Sequence, residues 1–445
     1  MKPAPANPGE EDDKMGDETR IEHLSRDEMA DLQTGRLRAA VRYAYERIPH
    51  YRKALDQRGA RPEDVRSLED VASLPFTTKK DLSDHYPYGL LAVPVADTVR
   101  MHSSSGSTGK PINVFHTRPD LDRWIERVAR GLRIAGVIRE DICQIAFRYT
   151  LFTGAFGHHR GAEALGATVI PISAGQTDRQ IQLIQDLKTT VLHCTPSYAV
   201  ILAEKIAEMG IPRKSLSLRL GIHGAEPMSD ELRDEIQERL GVRVARDYGL
   251  TELDGPGVSI ECPAQSGYHI SEDHFFPEVI DPESGKPLPD GQLGELVFTS
   301  LVKEASPLLR YRTRDITYLD RTPCVCGRTL ARHGRIMGRT DDMLIVGGVN
   351  FFPSQVESIL LGFQELAPHY LIRLVKKNRI DAVSVDVEAA PEYWGGRSPE
   401  GLGRLKEAVE RKIKDRIGFR MEVAVIEPAT IVRSEGKTKR VSDQR

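Results

Sequence analysis

The chain reads as an α/β protein: a large N-terminal domain of α/β subdomains plus a small β region, followed by a small, mobile α+β C-terminal domain. Three observations predict this. Short apolar runs alternate with segments that are apolar at helical spacing through the first three quarters of the 445 residues. From about residue 267 to 317 short β-like runs are separated by turns such as Asp281-Pro282-Glu283-Ser284-Gly285 and Pro289-Asp290-Gly291. After Gly338 the pattern changes again, to two strand-like runs, a polar helix and a last strand.

Taken in order, residues 1–18 are polar and acidic and read as a disordered tail. Leu121, Trp124, Ile125, Val128 and Leu132 follow Pro119 and Asp120 at helical spacing, so a helix is expected there. A strand is expected over 142–147, then a glycine-rich turn from Gly154 to Gly157 and a short apolar run at 168–172. The apolar runs 191–194, 218–222 and 242–244 read as buried parallel strands, and Leu232, Ile236 and Leu240 share one helical face. In the C-terminal part, strands over 370–374 and 382–387 flank Lys377-Asn378-Arg379, with a helix over 402–417 and a strand over 423–426. The expected domains are 19–340, with its β-rich part at about 262–330, and 341–445.

Composition excludes several function classes. Lys and Arg total 62 against 65 Asp and Glu, a net charge of −3, so no overall basic field points to nucleic acid. No apolar run approaches the length of a membrane span. Five cysteines, an odd number, do not read as a disulfide framework, and the N-terminus lacks the order of a signal peptide; a cytoplasmic setting is expected.

Five segments carry chemistry. Ser103, Ser104, Ser105, Gly106, Ser107, Thr108, Gly109 and Lys110 form a donor-rich stretch suited to phosphate oxygens, although such a Ser/Gly run taken alone is more often a plain linker. It is not a Walker A loop, because Ser104 stands where that motif needs glycine and Pro111 follows the lysine. This argues against a kinase or NTPase. In Asp247-Tyr248-Gly249-Leu250-Thr251-Glu252 the tyrosine suits a purine face and the Thr-Glu pair suits phosphate and magnesium; the alternative is an ordinary strand-to-loop turn. Within Arg310-Tyr311-Arg312-Thr313-Arg314-Asp315 the aspartate could accept two ribose hydroxyls, or the segment is a solvated charged strand. Gly338-Arg339-Thr340-Asp341-Asp342, leading to Val346-Gly347-Gly348-Val349-Asn350, suits a hinge or a hairpin turn. Ser434-Glu435-Gly436-Lys437 lies in a basic stretch near the C-terminus.

In this order, together with Leu151-Phe152-Thr153-Gly154, Cys194-Thr195-Pro196-Ser197-Tyr198 and His223-Gly224-Ala225-Glu226-Pro227, the segments resemble the phenylacetate–coenzyme A ligase family of AMP-forming adenylating enzymes along nearly the whole chain. The resemblance implies ATP and coenzyme A as co-substrates with Mg²⁺, and an aryl acid converted through an acyl-adenylate to a thioester. It assigns Ser103–Lys110 to the departing phosphates and Gly224, Ala225, Glu226 and Pro227 to adenine. Asp247, Tyr248 and Gly249 are assigned to the nucleotide, Thr251 to the α-phosphate and Glu252 to Mg²⁺. Asp315 would bind ribose, Arg339 would assist near ribose or phosphate, and Lys437 would be the catalytic lysine. Asp341 would be the hinge, Gly347 and Gly348 would line the thiol channel, and Phe147, Arg148, Tyr149, Phe152 and Gly154 would form the acyl pocket. The chain departs from the family in two segments: Arg314 replaces a glycine, and Arg148 and Thr150 stand where glycines alternate with aromatics. A carrier-protein phosphopantetheine as the thiol acceptor stays open, as does a homodimer. A non-catalytic nucleotide-binding regulator is disfavoured by the joint presence of Glu252, Asp315 and Lys437.

Cys262 and His269, with Cys324 and Cys326, supply three thiolates and an imidazole, a complete tetrahedral zinc set with no open position for catalysis. Free reduced thiols are the alternative. Cys143 and Cys194 lie in apolar runs and read as core residues.

Overall fold

A computed structural model of the chain describes residues 19–104, 111–346, 349–377, 380–433 and 440–444. The expected tail, 1–18, lies outside them, as do Ser105–Lys110, Gly347, Gly348 and Lys437. The chain divides into two compact units. The first comprises Met1–Glu140, Tyr149–Thr168 and Asp247–Gly334, and the second Asp141–Arg148, Val169–Arg246 and Arg335–Arg445.

In the first unit the helix Arg26–Arg47 starts at a capping box, with the Ser25 hydroxyl accepting from the Glu28 N–H and the Glu28 carboxylate accepting from the Ser25 N–H. The helix Arg118–Ala135 is capped in the same way by Thr117 and Asp120 and ends at Gly136, whose φ of 96° ordinary side chains avoid. Leu121, Trp124, Val128 and Leu132 are buried, as their spacing predicts.

The expected turn at Gly154–Gly157 is instead the start of a helix, Gly154–Ala164. Its glycines serve close packing, not chain reversal. A Cβ on Gly157 would lie 2.8 Å from Trp124 and 2.4 Å from Pro256, and one on Gly161 would lie 2.5 Å from Val128. The two helices can approach this closely only where side chains are missing.

The β-rich part is antiparallel, as the turns predict. Phe275–Ile280, Gly294–Ser300 and Tyr311–Thr317 pair in that order. A second antiparallel set joins Ser259–Glu261, Tyr268–Ile270, Arg332–His333 and Leu319–Asp320, with Asp247 and Tyr248 paired to Ile260 and Ser259.

In the second unit Ile142–Ile145, Val191–Cys194 and Leu220–Gly224 are parallel neighbours, connected by helices that include Thr177–Asp186 and Pro196–Glu208. Leu232, Ile236 and Leu240 of the helix Asp230–Leu240 join their core, and Cys143 and Cys194 are buried. Toward the C-terminus Leu366–Lys377 and Ile380–Ala389 are antiparallel, with Val441–Asp443 and Glu422–Ile426 added in parallel on their outer sides. Helices Pro353–Leu360 and Pro399–Ile417 close the core of this α+β part through Val356, Leu360, Val409 and Ile413. Among the described residues no helix is long and apolar enough to cross a membrane.

The glycine packing is testable by denaturant titration. Gly157→Ala is expected to cost about 1–3 kcal/mol through overpacking. Gly35→Ala, in an exposed helical position with open space around it, is expected to gain about 0.5–1 kcal/mol.

Candidate active site

The first unit brings the nucleotide-type residues together around the end of the strand Arg243–Tyr248 and the loop that follows. The Tyr248 hydroxyl donates to Asp315 Oδ2 at 2.6 Å, so the tyrosine of one motif fixes the aspartate of another. Both side chains are buried, Asp315 to 5 % exposure. The Asp315 N–H donates to the Thr313 hydroxyl at 3.1 Å, which holds the local turn.

Gly249 explains the glycine in this motif. A Cβ there would lie 2.6 Å from the Gly255 Cα, so the loop folds back on itself backbone to backbone. Between these glycines Thr251–Leu253 forms a 3₁₀ turn. Glu252 is buried to 8 % exposure, and its carboxylate takes no hydrogen bond or ion pair among the described residues. The turn is fastened by Asp254, whose carboxylate meets Lys303 Nζ at 2.8 Å and His116 Nε2 at 2.9 Å. Burial opposes ionisation of Asp254, but Lys303 and His116 hold its carboxyl well below the usual carboxylate range.

Asp247 faces away from Tyr248, as neighbouring residues on a strand do. It accepts from the Gly257 N–H at 3.3 Å and lies 3.6 Å from His158 Nε2. Burial pushes its carboxyl up to about 8. Ser103 and Ser104, the described start of the Ser/Gly stretch, are tied to neighbouring segments: the Ser103 N–H donates to the Leu151 carbonyl at 2.8 Å and the Ser104 N–H to the Ile112 carbonyl at 2.9 Å. The first unit thus joins the phosphate stretch to the acyl-type segment. There the Tyr149 hydroxyl lies 2.9 Å from His159 Nδ1 and its ring meets Phe156 edge-on, while Phe152 is exposed and Gly154 starts the helix.

The second unit carries the remaining candidates. The strand Leu220–Gly224 ends in Ala225 at φ 69°, and Glu226 turns back so that its Oε2 accepts from the Ser197 N–H at 3.2 Å. Gly224 to Pro227 therefore sit at the carboxyl end of a parallel strand, where open α/β sheets bind ligands. Phe147 is buried and Arg148 exposed. Arg339 pairs in a fork with Asp341, at 2.9 and 3.1 Å.

The four metal-type residues converge. Their ligand atoms all lie within 4.8 Å of one another, with Cys262 Sγ 3.9 Å from Cys324 Sγ and His269 Nε2 3.5 Å from Cys326 Sγ. Around a tetrahedral zinc, bonds of about 2.3 Å to sulfur and 2.0 Å to nitrogen separate ligands by roughly 3.5–3.8 Å. Cys262 and Cys324 each open a tight turn, their carbonyls accepting from the Gln265 and Gly327 N–H groups at 3.0 and 2.9 Å. Burial and the adjoining thiols push Cys262 up to about 12, a cost that a bound cation removes.

Residues 53–301 match the family model described as AMP-binding enzyme, and residues 348–445 match that of the AMP-binding enzyme C-terminal domain. The chain is 47% identical to a phenylacetate-coenzyme A ligase of Thermus thermophilus over 438 residues, covering 96% of this chain and 98% of the relative. It is 48% identical to that of Aromatoleum evansii, covering 97% and 98%. The chain belongs to the phenylacetate–CoA ligase family. Among solved structures, a 2-hydroxyisobutyryl-CoA ligase in the postadenylation state superposes with a TM-score of 0.90 at 27% identity, covering 96% of this chain and 92% of that one.

Within this phenylacetate–CoA ligase family member, Arg314 takes a backbone conformation that favours glycine. It has φ 70°, in a bulge where the pairing register shifts opposite Glu295 to Val297. The sequence reading passed over Tyr268, His333, Asp254, Lys303 and His116. His333, Lys303 and His116 reach the motif loop from positions distant in the chain, and Asp254 gains its role only through Lys303 and His116, so spacing carries no signal of them.

Asp247 yields a pH prediction. Unfolded, its carboxyl ionises above about 4; folded, it stays neutral up to about 8. The wild type therefore loses stability from this group as pH rises across that window. Asp247→Asn, which keeps an acceptor for Gly257, should match the wild type near pH 4 and be more stable at pH 8 in urea denaturation.

Proposed function

We propose that the chain activates an aromatic carboxylic acid with ATP and passes the acyl group to coenzyme A. The observation that carries this reading is the Tyr248–Asp315 hydrogen bond at the mouth of the motif loop, which unites a purine-type and a ribose-type residue. In the first step a carboxylate oxygen attacks the α-phosphorus of ATP and the bond to pyrophosphate breaks. In the second the coenzyme A sulfur adds to the acyl carbonyl, its proton is lost, and AMP leaves. A carboxylate is a poor electrophile, so the adenylate is what makes the thioester accessible.

The chain's own work is positioning and charge neutralisation. Asp315 accepts the ribose hydroxyls, pre-oriented by Tyr248, whose ring bounds the adenine. Gly224 to Pro227 line the base, Thr251 touches the α-phosphate, and Ser103 to Lys110 hold the departing phosphates. Glu252 has the character of a Mg²⁺ ligand, a buried carboxylate with no protein partner among the described residues. A bound Mg²⁺ would offset phosphate charge. Lys437 bridges the carboxylate and the α-phosphate in the first step. The C-terminal part, 341–445, then turns about Asp341, withdrawing Lys437 and bringing Gly347 and Gly348 to the thiol channel. Breaking the Arg339–Asp341 fork would free Arg339 to assist near the ribose or phosphate.

Phe147, Tyr149, Phe152 and Gly154 suit a flat aromatic acid. Cys262, His269, Cys324 and Cys326 hold a structural zinc, supported by ligand spacings that fit a tetrahedral ion. Carrier-protein loading is not favoured, because the full-length relatives are named coenzyme A ligases.

A panel of carboxylic acids in ATP–pyrophosphate exchange tests the reading without presupposing the acceptor. Aryl acids should support exchange and free coenzyme A should then yield a thioester; exchange with no aryl acid would refute the substrate class. Lys437→Ala should abolish exchange yet largely spare thioester formation from supplied acyl-adenylate. Equal loss of both half-reactions would remove the role given to Lys437.

A further inference from the structure

The Cys/His cluster and the ribose site are joined by a short row of buried rings. His269, a cluster residue, is followed directly in sequence by Ile270 and preceded by Tyr268 on the same strand, and Arg332–His333 pairs with that strand so that His333 stands opposite Tyr268. The Tyr268 and His333 rings stack with centroids 4.5 Å apart and planes 16° apart. On its other side His333 meets Tyr248 edge-on at 5.0 Å. Tyr248 in turn holds Asp315.

His333 is also fixed in its own plane. Its Nδ1 lies 2.7 Å from the Gly334 carbonyl, which can only accept, so Nδ1 carries the proton and Nε2 accepts from the Ser259 hydroxyl at 2.6 Å. Burial holds the ring neutral, its basicity lowered to about 4. Ser259 begins the strand Ser259–Glu261, which leads directly into Cys262. Two connections therefore run from the cluster to His333: one through the His269–Tyr268 strand, the other through the Cys262–Ser259 strand. At the turn between these strands a Cβ on Gly267 would lie 2.9 Å from the His333 carbonyl oxygen. The hairpin that carries two of the four ligand residues is thus in close contact with the histidine.

We propose that metal bound at Cys262, His269, Cys324 and Cys326 sets the position of the Tyr248–Asp315 pair through Tyr268 and His333, making His333 a positioning residue for ATP. This rests on the zinc and ribose readings above. Without the metal the hairpin loses its clamp at Cys262 and His269, the Tyr268–His333 stack loosens, and the edge that orients Tyr248 is lost. Binding of the nucleotide should suffer, whereas binding of the acid should not.

The test uses the full chain, with zinc content measured by elemental analysis, ATP affinity by calorimetry, and Michaelis constants for ATP and acid by pyrophosphate exchange. Wild type should carry one zinc per chain. His333→Ala should retain that zinc but weaken ATP binding roughly tenfold, the usual loss when a residue orienting a functional group is removed. Its Michaelis constant for the acid should not change. His333→Phe, which restores a ring between the tyrosines, should recover much of the ATP affinity. Chelated wild type, and Cys326→Ser, should show the same ATP-specific loss, and zinc returned to the chelated protein should reverse it. Unchanged ATP affinity in zinc-loaded His333→Ala overturns the coupling even if the metal-free forms fail to fold. Wild type without stoichiometric zinc overturns both the metal and the coupling. Failure of exchange with every acid, alongside these calorimetric shifts, would instead fault the substrate class and leave the coupling supported.

Discussion

The hydrogen bond from Tyr248 to Asp315 joins two segments that lie far apart in the chain, and much of the first unit exists to hold its two ends. A charge-assisted bond of this kind, buried from water, fixes direction as well as distance. One end depends on the strand Arg243–Tyr248 stopping where it does, with Gly249 and Gly255 in backbone contact immediately afterward. The other depends on the strand Tyr311–Thr317, whose alternation, kept through the bulge at Arg314, places Asp315 on the buried face.

Around this bond several buried carboxylates are matched by cations. Asp254 is matched by Lys303 and His116, and Asp273 by Arg130 at 2.6 Å. Asp247, with no cation of comparable proximity, is kept neutral by burial. Glu252 differs from all three: its buried carboxylate has no hydrogen bond or ion pair among the described residues. The Cys/His cluster places three thiols and an imidazole in one small volume, where a bound cation would offset thiolate charge.

Fold class was legible because parallel strands buried on both faces leave continuous apolar runs, and 191–194 marks its strand to the residue. The helix Arg118–Ala135 was legible from its periodicity and from Pro119 near its start. Glycine misled at Gly154–Gly157, because the residue that suits a turn also suits a tight helix crossing, and only Trp124, Val128 and Pro256 in three dimensions separate the two. In the candidate site the motif residues were legible as chemical types in order. Their supports were not: His333, Ser259 and Tyr268 look like ordinary strand residues, and only ring contacts and a hydrogen bond across strands tie them to Tyr248. The acyl-type segment was legible as aromatic, but not the link from Tyr149 to His159, which requires the helix in place of the expected turn.

The central claim is that Tyr248 and Asp315 act as one unit in gripping ATP, and a double-mutant cycle measures this directly. Dissociation constants for ATP would be determined calorimetrically for wild type, Tyr248→Phe, Asp315→Asn and the double variant. If the pair acts as a unit, the double variant should lose less than the sum of the single losses, with a coupling energy of about 1–2 kcal/mol. Additive losses would contradict the account, for they would mean that each side chain meets the nucleotide independently and that the bond between them has no part in binding.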